Sequence, residues 1–225
     1  MSRLLETEID KLKKNLLMLS SQVEERVRNA VKAIDQRDAN IALKVIEGDP
    51  DIDEMEVALE EECLKVFALH QPVAADLRLI VSVLKINNEL ERIGDLAVNI
   101  AERAEFLARQ PKIDIPFDFR GMSEKAQTML RKSLLAFVTM DADLAFMVCK
   151  ADNEVDRINR DMYGQVEKAI GQYPDRVQCL IHMLRVSTHL ERVADYATNI
   201  SEYVIYLVEG EIVRHRAERY QLSSK

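Results

Sequence analysis

The chain carries one acidic phrase twice. Glu91, Asp95 and Asn99 return as Glu191, Asp195 and Asn199, inside Leu90-Glu91-Arg92-Ile93-Gly94-Asp95-Leu96-Ala97-Val98-Asn99-Ile100-Ala101-Glu102 and Leu190-Glu191-Arg192-Val193-Ala194-Asp195-Tyr196-Ala197-Thr198-Asn199-Ile200-Ser201-Glu202. Core packing alone would keep the apolar positions and let the carboxylates drift, yet here the polar ones are kept. On a helix, residues at i, i+4 and i+8 stack on one face. Carboxylates at that spacing repel by roughly a few tenths of a kcal/mol, so something should offset them. A second acidic pair also recurs, Asp49/Asp53 and Asp152/Asp156, again four residues apart. If each pair faces the ExxxD of its own half across an antiparallel hairpin, four carboxylates gather per half. That is a hard, oxygen-rich donor set suited to Mg²⁺, Ca²⁺, Mn²⁺ or iron. The candidate metal ligands are therefore Asp49, Asp53, Glu91, Asp95, Asp152, Asp156, Glu191 and Asp195.

A plainer account of the same residues stays open. An ExxxD on a helix is ordinarily a solvated face, and Asp49 and Asp152 are explained by capping and the helix dipole. Arg92 and Arg192, three residues before Asp95 and Asp195, supply neutralising charge. Asn99 and Asn199 serve equally as buried polar residues that set helix register.

Other chemistry is sparse. There is no HExxH and no Walker A sequence. None of His70, His182, His189 or His215 has a Glu three residues before it, which disfavours a carboxylate di-iron oxidase. No Ser/His/Asp or Cys/His arrangement can be read, so no catalytic residue is assigned and the chain is not expected to be an enzyme. His189 stands where the first copy has Glu89, and reads as a surface histidine rather than a ligand. Met18, Met55, Met129, Met140, Met147 and Met183 fall at helical spacing and read as core filler.

The net charge of −8 argues against nucleic acid and against simple adhesion to anionic lipid. Arg214, Arg216, Arg219 and Lys225 are interleaved with Glu218 and read as a solvated tail. Three cysteines, Cys63, Cys149 and Cys179, without a CxxC fit a reducing compartment and buried or incidental thiols. Met1-Ser2-Arg3-Leu4-Leu5-Glu6 turns charged too early for a secretory leader, and the longest apolar runs are far too short to span a bilayer. A soluble, cytoplasmic protein is expected.

The elements that must position the carboxylates are helices. Six Gly and five Pro among 225 residues punctuate long stretches of helical period. Leu5, Ile9, Leu12, Leu16, Leu19, Val23, Val27, Ala30 and Ile34 form one stripe, and no useful strand pattern occurs. The fold class is all-α, as two tandem, sequence-related three-helix bundles. Residues 1–109 form the first, 110–120 a linker and 121–225 the second. The expected helices are 2–36, 38–47, 51–68 and 74–109, then 121–140, 141–150, 152–171 and 174–209. The early parts of the copies align at an offset of 103 and the late parts at 100, so the second copy has lost three residues near Gly171–Pro174. Gly94, opposite Ala194, suggests a close helix approach, since a mid-helix Gly costs about 1 kcal/mol relative to Ala.

Three segments carry a family likeness: Ala42-Leu43-Lys44-Val45-Ile46-Glu47-Gly48-Asp49, Gln71-Pro72-Val73-Ala74-Ala75-Asp76-Leu77-Arg78 and Leu90-Glu91-Arg92-Ile93-Gly94-Asp95. With the duplicated LER[IV]xD and the length, the chain resembles the PhoU family of phosphate-signalling accessory proteins essentially end to end. The resemblance implies a non-catalytic regulator that represses the phosphate-starvation response when phosphate is plentiful and restrains phosphate uptake. It implies an adaptor linking the ATPase subunit of the phosphate ABC transporter to a phosphate-sensing histidine kinase. A homodimer is expected, with membrane contact only through partners. Some members of the family carry iron or zinc clusters on the acidic motifs, which here are Glu91/Asp95 and Glu191/Asp195 with the facing pairs; others are metal-free. The competing functions are a metal-dependent phosphohydrolase and a metal store or sensor. The second copy departs from the pattern, keeping only Tyr173-Pro174-Asp175-Arg176 of QPxAxDLR, so a partner that uses this turn should read the first half alone.

Overall fold

The computed structural model describes residues 3–113 and 117–210. The expected solvated tail and the middle of the linker lie outside the described residues. Within them the chain is helical throughout: α1 (Arg3–Gln36), α2 (Ala39–Glu47), α3 (Asp49–His70), α4 (Ala74–Ala108), α5 (Phe119–Thr139), α6 (Ala142–Gln172) and α7 (Val177–Glu209). The α1 stripe read from sequence is the buried one, from Leu5 to Ala30, with Ile34 packed partly buried at its end.

The duplication is visible in the turns. Arg37 and Met140, 103 residues apart, both end their helices in the left-handed region, at φ 52° and 54°. The next residue caps the next helix. The Asp38 carboxylate accepts from the Asn40 amide at 2.8 Å, and that of Asp141 from the Leu144 amide at 2.9 Å.

The copies then diverge. In the first half Gly48 and Pro50 break the second arm into α2 and α3, because Pro50 has no N–H to donate to Ile46 and its ring crowds that carbonyl. The second half has Ala151 and Asn153 there, and α6 runs through unbroken, where two helices were expected. α5 also begins two residues before the expected Gly121, because Asp118 caps it and accepts from the Gly121 amide at 2.8 Å. The three-residue deletion replaces the Gln71-Pro72-Val73 turn with a single 3-10 turn, Pro174–Arg176, which leads straight into α7.

α4 and α7 are the centre of the molecule. α4 packs on α1, α2, α3 and α7, and α7 on α4, α5 and α6; α1 and α5 also touch. The Tyr203 hydroxyl donates to Glu89 at 2.9 Å, and the Phe106 and His182 rings stack 4.0 Å apart. α4 and α7 are therefore antiparallel, with a local twofold near Leu96 and Tyr196 that exchanges residue i with i+100. Two sequence-related three-helix bundles thus share one continuous core. Met18, Met140 and Met147 are not part of it: they are 53, 39 and 56% exposed. Spacing alone does not separate their face of the helix from the buried one.

Candidate metal centre

In each half the acidic pair on the second arm lies over the ExxxD of the third. In the first half, α3 approaches α4 closely at Gly94. A Cβ there would stand 3.3 Å from the Ile52 side chain. The second half has Ala194 and Val155 at these positions, both buried. One carbon has moved from one partner to the other, and the summed volume is kept. The Asn87 amide donates to the Glu56 backbone oxygen at 2.9 Å and to its carboxylate at 3.0 Å, fixing the register.

This register brings all four predicted acids of the first half together. Burial, then Asp53 and Asp95, raise the Asp49 carboxyl above its usual range, while Arg26 opposes. Glu91 is raised by burial, then by Asp95, Glu56 and Asp53, and Asp95 by burial and Asp53. Arg26 was not anticipated. Its guanidinium lies where a Gly48 Cβ would be, 2.7 Å away, donates to the Val45 carbonyl at 3.2 Å, and pairs with Asp51 at 3.2 Å. The signal for it was the glycine in Gly48-Asp49-Pro50, where any side chain would displace that guanidinium.

The second half lacks a counterpart of Arg26; its cations are Arg160, 3.8 Å from Asp156, and Arg192. Met129 stands 103 residues after Arg26. Asp152, Asp156 and Asp195 place carboxylate oxygens within 4.8 Å of one another, the one such trio among the described residues. Burial, followed by Asp195, Asp156 and Glu191, pushes Asp152 up to about 7. Its Oδ1 is buried without a hydrogen-bond partner. Glu191 is raised by burial, Asp195 and Asp156, and Asp195 by burial and Asp156, with Arg192 opposing both. An open cleft of about 370 Å³ adjoins the trio, lined by Arg192, Asp195, Tyr196, Thr198, Asn199 and Glu202. Thr198 Oγ1, at this cleft, is also buried and unpartnered. An all-oxygen set with an orphaned buried carboxylate oxygen fits a hard divalent cation or iron better than zinc, which favours nitrogen and sulfur.

Neighbouring residues take other roles than spacing suggested. Arg92 pairs with Glu89 at 3.8 Å, not with Asp95, and Asn99 donates to the Asp95 carbonyl of its own helix at 2.8 Å. His189 is no surface histidine: it lies half-buried at the α4/α7 seam, where burial, Arg103, Arg192 and Arg185 push it down to about 4. Glu202, part of the repeated phrase but not singled out as a ligand, flanks the cleft.

A duplicated helical bundle with a carboxylate cluster on each half defines a class of protein, and comparison places the chain within it. The PhoU domain matches at residues 5–104 and again at 119–204, and the chain belongs to the PhoU family. It is 38% identical over 213 residues to the phosphate-specific transport system accessory protein PhoU homolog of Aquifex aeolicus, covering 93% of this chain and 95% of that one. It is 30% identical to the phosphate-specific transport system accessory protein PhoU of Escherichia coli, over 92% of this chain and 86% of that one. The fold is that of the crystal structure of PhoU from Pseudomonas aeruginosa, with a TM-score of 0.86, 35% identity, and coverage of 92% of this chain and 99% of that one. The phosphate transport system regulatory protein PhoU from Streptococcus pneumoniae superposes with a TM-score of 0.83 at 28% identity.

Proposed function

We propose that this chain is a cytoplasmic, non-catalytic negative regulator of the phosphate-starvation response and of phosphate uptake. It acts as an adaptor between the ATPase subunit of a phosphate ABC transporter and a phosphate-sensing histidine kinase. The observation that carries this is the end-to-end match, in sequence and fold, to accessory and regulatory proteins of phosphate transport. Among the described residues no helix is long and apolar enough to cross a membrane, so membrane contact is assigned to the partners.

The turn between α3 and α4 supports a docking role for the first half. Leu69 at the end of α3 and Val73 on the turn stand 78 and 72% exposed, and the deletion in the second copy removes the turn's counterpart. Alanine at Arg78 should weaken partner binding more than alanine at Arg176; equal losses would reject a one-sided turn. The carboxylate clusters hold hard divalent cations or iron in this reading, the second half more tightly because Asp152, Asp156 and Asp195 already converge there with one buried oxygen unpartnered. The cation supplies charge neutralisation that fixes α6 on α7.

The test is an alkaline-phosphatase reporter in phosphate-rich cells lacking the gene. Derepression on deletion, reversed by the wild-type chain, is expected. Unchanged low activity would overturn the regulatory reading. A phosphohydrolase would instead show phosphate-ester turnover by the purified chain that Glu191→Ala abolishes.

A further inference from the structure

The local twofold between α4 and α7 makes each half a control for the other at their seam. In the first half the seam centres on a carboxylate. Glu89, 4% exposed, accepts from the Tyr203 hydroxyl and lies 3.8 Å from Arg92. Lys85 stands over the Tyr203 ring at 5.1 Å. Glu89 Oε1 is thus hydrogen-bonded, while Oε2 has no hydrogen bond and only the Arg92 guanidinium beside it.

The same positions one hundred residues on are Arg185 for Lys85, Arg192 for Arg92 and His189 for Glu89. By the twofold, Arg103 takes the place of Tyr203. The central carboxylate is gone and one further cation has been added. Four buried nitrogens here find no hydrogen-bond partner: His189 Nδ1 and Nε2, His182 Nδ1 and Arg103 Nε. A neutral imidazole has one donor and one acceptor to satisfy, and a guanidinium five donors. The guanidiniums bond along their own helices: Arg103 Nη2 donates to Glu102 at 3.3 Å, and Arg192 Nη2 to the Tyr196 hydroxyl at 3.2 Å. Buried polar nitrogens left unpaired beside three guanidiniums are costly unless an acceptor completes them.

We propose that this second-half seam binds a small tetrahedral oxyanion, of the class of inorganic phosphate, held by Arg103, Arg185 and Arg192 with His189 at its floor. Planar guanidiniums match the paired oxygens of such an anion, and Arg185 and Arg192 are exposed. His189 and Arg103 lie at the α4/α7 seam, and Arg192, which also lines the carboxylate cleft with Asp195, stands between the anion and the acids. The inference goes beyond the regulatory reading. It stands on the seam's own nitrogens, and only the choice of phosphate as first probe comes from that reading.

Isothermal titration of inorganic phosphate into the full chain tests it, in EDTA and at fixed ionic strength. One saturable site per chain is expected. His189→Glu, which restores the carboxylate found in the first half, should abolish binding while leaving the chain folded. Arg185→Gln alters an exposed side chain and guards against misfolding as a trivial cause. It should weaken binding about tenfold or more, the loss of one charge-assisted hydrogen bond. Sulfate binding at the same site would agree with a tetrahedral oxyanion. No saturable heat, undiminished binding by both variants, or equal binding of acetate would overturn the proposal. Phosphate binding without reporter repression would fail the regulatory reading alone, and repression without binding would fail this one alone.

Discussion

Asp152 is the group whose energetics are most exposed to test. Its carboxyl is pushed from the usual 3.8 up to about 7 by burial and by Asp195, Asp156 and Glu191. Below pH 3.8 it is protonated folded and unfolded, and contributes nothing. As pH rises the unfolded chain ionises while the folded chain keeps its proton, so stability falls until about pH 7, above which the full cost stands. Roughly three pKa steps at about 1.36 kcal/mol each give a ceiling of about 4 kcal/mol. Solvent screening of this half-buried cluster lowers that to about 2 kcal/mol. Asp152→Asn removes the cost, so urea unfolding in EDTA should find the variant about 2 kcal/mol more stable at pH 8. The difference should largely vanish near pH 4. Saturating Mn²⁺ should reverse the order, because the wild-type chain gains a ligand that the variant holds poorly. A variant less stable at pH 8 in EDTA, or a difference that ignores pH, would refute the reasoning.

Other outcomes follow from the same geometry. Divalent cation at a hundredfold excess over Kd should stabilise the wild-type chain by about 2.7 kcal/mol in thermal unfolding, with Asp195→Asn losing more of this than Asp95→Asn. Gly94→Ala should destabilise by about 1 kcal/mol, since overpacking against Ile52 outweighs the gain in helix propensity. Adding Ile52→Val should recover most of that loss, because the pair then copies Ala194 and Val155. Tyr203→Phe should cost about 2 kcal/mol, the value of a hydrogen bond to a charged acceptor, and equal loss in a Glu89→Gln background would reject direct coupling.

Much of the fold was legible because its signals are local or repeated. The α1 stripe and the duplicated acidic phrase each follow from a few residues and a period, whereas the caps expected at Asp49 and Asp152 do not form: Gly48 is the N-cap of α3 and Asp152 lies inside α6. The joining of α6 across Ala151 was missed because the first copy's Gly48 and Pro50 were carried onto a second copy that lacks them. Arg26 was missed because it approaches the carboxylates from α1 at long sequence separation, and Glu56, three residues after Asp53 on α3, because its contacts with Asn87 and Glu91 exist only once α3 packs on α4. His189 was misread because its face of α7 acquires its character from Arg103 on α4.

The sequence by itself determined that the chain is two related helical halves, each with two acidic pairs spaced to share a helix face. Helical period, capping and repetition are properties of the chain and are readable without its fold. Only the tertiary structure decided that the halves are electrostatically unequal. The cation that tempers the first carboxylate cluster comes from α1, and the guanidinium that turns the second seam positive comes from α4. Charges on different helices act through distance and burial, and those exist only once the helices are packed.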